Sequence, residues 1–123
     1  MTTMKMCYFV VGTNNMPSAV EFYDALFAIT DYRQTFADHR MTFWQGADSD
    51  SAFAVALPFD EKEATHGNGT MLGFSLGSPE LVDAVYQKAL DLGGTCEGKP
   101  GQRGPRYSAY VRDRDHNKLV FSD

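Results

Sequence analysis

The residues in this sequence best suited to chemistry are four aromatics and two arginines. Tyr8, Trp44, Tyr107 and Tyr110 stand in or beside short apolar stretches, and Arg40 and Arg106 lie close to them along the chain. Apolar walls carrying a few directional polar groups describe a small-molecule pocket. Either arginine could pair with a ligand carboxylate or phosphate. A tyrosine (Tyr8 or Tyr107) could act as general acid while Arg40 stabilises an enolate. The same aromatics could equally be core or subunit-interface residues, because the sequence does not say which way Met41 to Gln45 and Tyr107 to Arg112 face.

The other reactive residue types make no familiar arrangement. There is no Ser-His-Asp or Cys-His pattern. His39 and His116 fall in predicted turns and His66 in a polar stretch, positions that favour solvation over ligation. Cys7 is expected to face a helix layer as an inert buried thiol. Cys96, beside a glycine-rich turn, could be exposed, but nothing near it in sequence is placed to activate it. The two cysteines form neither a CxxC pair nor a disulfide framework, which predicts reduced thiols and a cytoplasmic protein. Asp113 and Asp115 resemble a DxD pair, yet at a turn their simpler role is to bond its backbone. Gly98 to Gly104, with Arg103, does not link a strand to a helix as a phosphate loop does. It reads as a flexible edge loop that could close over a ligand.

Length and charge narrow the classes. With 123 residues the chain suits one domain with a genuine core. A formal net charge of −5 and scattered basic residues argue against nucleic acid as a partner. No apolar run approaches the roughly 18 residues of a membrane span, and Met1 to Tyr8 lacks the apolar stretch of a signal peptide.

The elements that must position these residues come in a doubled order. Met4 to Val11 reads as a strand. Asn15 caps a helix with Pro17 in its first turn, and Met16, Ala19, Val20, Tyr23, Leu26 and Phe27 recur at helical spacing. Strands are predicted near Tyr32 to Phe36, Met41 to Gln45 and Ser51 to Leu57. Phe59 to Gly69 is polar and reads as a linker. The pattern then restarts: a strand over Thr70 to Leu76, and a helix capped by Ser78 with Pro79 first. A buried stripe of Leu81, Ala84, Val85, Ala89 and Leu92 follows, then a glycine stop at Gly93-Gly94. A weak strand near Cys96, then Tyr107 to Arg112 and Lys118 to Phe121, complete the second half. Tyr23 and Tyr86 match at an offset of about 63 residues, the mark of an internal repeat. The fold expected is α+β: two βαβββ modules, about 1–58 and 70–123, in one domain. Their mostly antiparallel sheets would form a curved cup with the helices outside.

Several motifs resemble the vicinal oxygen chelate superfamily, which includes glyoxalase I, extradiol dioxygenases and bleomycin-resistance proteins. Asn15-Met16-Pro17-Ser18-Ala19-Val20-Glu21-Phe22-Tyr23 is similar to the family's first helix, and Ala89-Leu90-Asp91-Leu92-Gly93-Gly94 to the end of its second. Tyr110 to Leu119 is similar to its closing turn and strand, with Arg114 in place of the usual proline and His116 in place of the usual glycine. Histidine tolerates the left-handed backbone better than most residues. Gly67-Asn68-Gly69-Thr70-Met71 and Pro100-Gly101-Gln102-Arg103-Gly104 resemble an uncharacterised glyoxalase-like subgroup.

The resemblance implies a metal site of four inward side chains, typically His, Gln or Glu. It assigns these positions to Tyr8, to Ala54 or Ala56, to Met71 and to Val120. Strand alternation independently turns Tyr8 and Val10, Ala52, Ala54 and Ala56, Met71, and Val120 away from the helices. Divalent ions need three or more good donors, and among these only the Tyr8 phenol is a conceivable one. No metal or other cofactor is therefore expected. The expected function is metal-independent binding of a small molecule in the cup, by Tyr8, Trp44, Ala54, Ala56, Met71, Tyr107, Tyr110, Val120, Arg40 and Arg106. The alternative is a glyoxalase-type lyase, isomerase or dioxygenase, using a displaced metal or the tyrosine–arginine pair. The resemblance also implies a homodimer.

Overall fold

The computed structural model describes all 123 residues. They form two compact units, residues 1–64 and 65–123, and each repeats the order strand, helix, three strands.

In the first unit, β1 (Tyr8–Gly12) leads to α1 (Met16–Phe27). The helix starts where expected: Asn15 is extended at φ −151°, and its side-chain oxygen accepts the Ser18 N–H at 3.1 Å. That bond satisfies one of the donors a helix N-terminus leaves open. Next come β2 (Arg33–Ala37), β3 (Met41–Gln45) and β4 (Ala52–Ala56), in the sheet order β1-β4-β3-β2. β1 and β4 run parallel, and the other pairings are antiparallel.

One face of this sheet packs on α1. Phe22, Tyr23, Leu26 and Phe27 of the helix are buried, as are Trp44, Phe53 and Val55 of the strands. Tyr23 lies 4.7 Å from Phe53 and 5.7 Å from Trp44 between ring centroids. Each such aromatic side chain contributes about 1.5–3 kcal/mol by burial.

In the second unit, β5 (Leu72–Ser75) precedes α2 (Pro79–Asp91), capped by Ser78, whose hydroxyl accepts the Leu81 N–H at 3.2 Å. Then come β6 (Thr95–Arg103), β7 (Arg106–Arg112) and β8 (Lys118–Ser122), in the order β5-β8-β7-β6. The first pair is again parallel and the rest antiparallel. Val82, Val85, Tyr86 and Ala89 of α2 and Ala109, Val111, Leu119 and Phe121 of the sheet form the core. The turn before β8 is built as expected: His116 is left-handed at φ 68°, and buried Asp113 accepts the N–H groups of Asp115 and Asn117, each at 2.9 Å. No helix is long and apolar enough to cross a membrane.

Four local expectations are corrected. The first strand begins at Tyr8 rather than Met4, because the parallel ladder to β4 starts at the Tyr8–Ala52 pair. Cys7 therefore precedes the strand and is exposed rather than buried, and both cysteines are free thiols. The buried stripe of α2 is rotated: Leu81 and Ala84 are exposed, while Val82 and Tyr86 take the inner positions. Gly98 to Gly104 is not a loop, because most of it lies in β6, a nine-residue strand that pairs with β7 across two register shifts.

Gly94, between α2 and β6, marks a close crossing of backbones. A Cβ there would stand 2.8 Å from the carbonyl oxygens of both Ala89 and Arg112. Neither is a flexible side chain that can step aside. Gly94→Ala should lower stability by about 1–3 kcal/mol, the usual cost of overpacking. Urea denaturation should show an earlier midpoint with an unchanged slope; an unmoved midpoint would contradict the close approach.

Candidate functional site

Each sheet has a second face that no helix of its own unit covers. In the first unit, ladder register aligns Tyr8 with Ala52 and Gln45, Val10 with Ala54 and Phe43, and Gly12 with Ala56 and Met41. These residues point away from α1, and Phe36 joins them beside Phe43. The Tyr8 ring lies 5.4 Å from Phe43, and Phe36 lies 6.0 Å from Phe43. Tyr8, Val10 and Phe36 remain exposed, while Ala54 and Ala56 are buried. The face is thus an alanine floor walled by aromatic rings. Phe36 and Phe43 were missed in the sequence; once Trp44 is known to face the helix, alternation alone places Phe43 here.

Trp44 is not part of that face. It is 1% exposed against α1, and its indole Nε1 donates to Asp24 of the helix at 2.9 Å. Arg40 is also apart from Tyr8. It ends the β2–β3 turn, at the Gly12–Ala56–Met41 end of the sheet, whereas Tyr8 is at the other end. The Arg40 guanidinium donates to the Leu57 carbonyl at 3.0 Å and lies 5.6 Å from the Phe59 ring centroid. Asp38 fixes this turn by accepting the N–H groups of Arg40 and Met41 at 2.9 and 2.8 Å, bonds that hold its carboxyl below the usual aspartate value. A cavity of about 640 Å³ opens here, lined in part by Asn14, His39, Arg40, Pro58 and Phe59.

In the second unit the helix-free face carries Gly73 of β5, Val120 of β8, Tyr110 of β7 and Gly98 of β6 in one ladder row. Met71 is exposed just ahead of β5. Arg106 begins β7, exposed, opposite Arg103. Tyr107, by contrast, points to the helix side: its hydroxyl donates to Asp83 of α2 at 2.7 Å. Tyr107 and Tyr110 therefore serve opposite faces. Cations crowd Tyr110: Arg103 Cζ lies 5.2 Å and Lys118 Nζ 5.5 Å from its ring centroid.

The positions that the resemblance assigns to a metal offer a phenol, a thioether, a methyl group and an isopropyl group. The uncertainty over strand register in β4 does not matter, since Ala52, Ala54 and Ala56 share the face. This donor set does not fit a divalent ion. No cluster of three or more His, Cys, Asp or Glu side chains is placed to hold one elsewhere.

Comparison with known proteins adds the following. The family model described as Glyoxalase/Bleomycin resistance protein/Dioxygenase superfamily matches residues 5–121. Among solved structures, a glyoxalase/bleomycin resistance protein from Albidiferax ferrireducens T118 is 36% identical, with a TM-score of 0.86 over 95% of this chain and 96% of that one. A glyoxalase-related enzyme from Fulvimarina pelagi is 16% identical, with a TM-score of 0.80 over 98% and 88%. A family enzyme from Burkholderia phytofirmans PsJN is 16% identical, with a TM-score of 0.74 over 94% of both chains. The last two are likenesses of fold alone. No curated protein matches the chain.

The Tyr107–Asp83 bond has a measurable consequence. The accepting carboxylate raises the Tyr107 pKa above the usual value of 10.0. The folded protein thus holds this proton more tightly than the unfolded chain. Its contribution to stability is complete below about pH 10 and is lost as pH rises through the folded pKa. Carbon-13 NMR of labelled tyrosine should show Tyr107 titrating late, and Asp83→Ala should bring its midpoint down. An unmoved midpoint in the variant would contradict the bond.

Proposed function

The chain belongs to the glyoxalase/bleomycin resistance protein/dioxygenase superfamily, and we propose that it binds a small organic molecule on the helix-free sheet faces without a metal. The observation that carries this reading is the donor set: Tyr8, the β4 alanines, Met71 and Val120 stand where the family's chelating side chains are expected. The lack of any imidazole, amide or carboxylate donor among them removes the means of holding an ion. It leaves the apolar surface and aromatic walls that suit an organic ligand. On the first sheet the row of Tyr8, Phe43 and Phe36 would supply shape and stacking; on the second, Tyr110 with its cations would receive a charged group.

The tyrosine–arginine alternative is less favoured. Tyr8 and Arg40 stand at opposite ends of one sheet, and Tyr107 is committed to Asp83.

A ligand that binds only the native state raises its melting temperature. A thermal-shift screen of organic acids, aromatics and heterocycles should yield stabilisers that work equally well with and without EDTA. Tyr8→Ala should weaken any that contact the first sheet. Stabilisation abolished by EDTA and restored by a single divalent ion would overturn the reading. We further propose, from the family resemblance, that the protein is a homodimer. Light scattering on the eluting protein should give twice the chain mass; a monomer at high micromolar concentration would contradict this.

A further inference from the structure

Arg103 is held in an unusual way. Its Nη1 donates to the carbonyl oxygens of Ser108 and Gly101, and its Nη2 donates to that of Lys99 at 2.7 Å. Neutral carbonyls orient the guanidinium but do not neutralise it. No carboxylate forms an ion pair with Arg103, Arg106 or Lys118; the cation on this face that is paired is Arg112, with Glu97 at 2.8 Å. Of the five N–H groups a guanidinium carries, the three carbonyl bonds leave two available.

The strand sequence makes room for this arrangement. Gly98 is the cross-strand partner of Tyr110. A Cβ on Gly98 would stand 2.9 Å from Tyr110 Cδ1 and 3.2 Å from Arg103 Nη2. Glycine is therefore what lets the guanidinium lie over the phenol ring. Register shifts on either side of Gly98 let β6 bend around it. Lys118 approaches the same ring from β8, next to Val120. Arg103 and Lys118 thus bring two positive charges to one ring with no carboxylate paired to either, a local concentration of positive charge on a chain whose net charge is −5.

We propose that Arg103, Lys118 and Tyr110 form an anion-recognition site on the second sheet, which takes the carboxylate or phosphate group of the bound small molecule. The proposal rests on the reading above that the helix-free face is the ligand face, and it names the charge class of that ligand. Arg103 is the directional donor, pre-oriented by its three carbonyls, so little side-chain freedom is lost on binding. Lys118 is the mobile second charge. Tyr110 holds both cations near its ring and offers its hydroxyl as a further donor.

The test is an amide NMR titration of the full chain with inorganic phosphate in one arm and benzoate in another, at constant ionic strength set with sodium chloride. Saturable shifts should centre on Gly98, Tyr110 and Lys118. Arg103→Gln should weaken binding about tenfold or more, the scale of one charge-assisted hydrogen bond. Arg112→Gln, which removes a cation already paired, should leave it within about twofold. If Arg103→Gln loses its dispersed spectrum, Lys118→Gln reports instead and should also weaken binding. Saturation by phosphate alone identifies a phosphate-bearing ligand, and by benzoate alone a carboxylate. Absence of saturation in both arms, or wild-type affinity in Arg103→Gln and Lys118→Gln, overturns the site. The two proposals fail separately. A neutral, EDTA-insensitive stabiliser indifferent to Arg103 would sink this one alone, and anion binding here that requires a metal would sink the metal-free reading alone.

Discussion

The packing of one helix on one face of each sheet is the constraint from which the rest of the structure follows. Strand side chains alternate with a period of two, so committing one face to a helix commits the other to whatever the intervening residues are. In the first unit Trp44, Phe53 and Val55 pack on α1. The same register leaves Tyr8, Val10, Phe43 and the β4 alanines on the far side. In the second, Leu119 and Phe121 face α2, which turns Val120 outward beside Gly73 and Tyr110. A slip of one residue in any strand would bury the wrong set, so the core specifies which residues the opposite face presents.

That division lets the side chains of the other sheet faces vary while the fold of the superfamily is kept. The large side chains Trp44, Phe53, Leu119 and Phe121 pack on the helix side. The other faces differ between the units: the first carries Tyr8, Val10, Phe43 and Phe36, and the second Tyr110 with Arg103 and Lys118. Structural likeness to the Albidiferax ferrireducens protein, at a TM-score of 0.86, reports the shared backbone. Side chains on the open faces decide the chemistry, and fold alone does not carry it.

Much of this was legible in the sequence, for identifiable reasons. Helix starts were readable because Asn15 and Ser78 cap them directly and prolines sit in the first turns. β3 was placed to the residue, since its turns are polar and its run is short. The direction of Trp44 was not readable: Met41 to Gln45 alternates without a clearly polar face, and only the Asp24 partner on α1 fixes it. β6 was underestimated because glycine, proline and lysine have low strand propensity, and its pairing with β7 overrides that preference. Leu81 and Val82 are adjacent apolar residues, so periodicity could not choose between them; packing on the sheet did. Arg103 looked like part of a loose loop because the carbonyls that orient it come from the folded hairpin.

Sheet faces with this donor set should hold no divalent ion. Elemental analysis by mass spectrometry tests it most directly, on protein made without a histidine tag, incubated with Zn, Ni, Mn or Fe(II) and freed of unbound ions by gel filtration. Far less than one ion per chain is expected for every metal. Retention of one ion per chain, lost on substitution of Tyr8 or of residues flanking Val120, would contradict it.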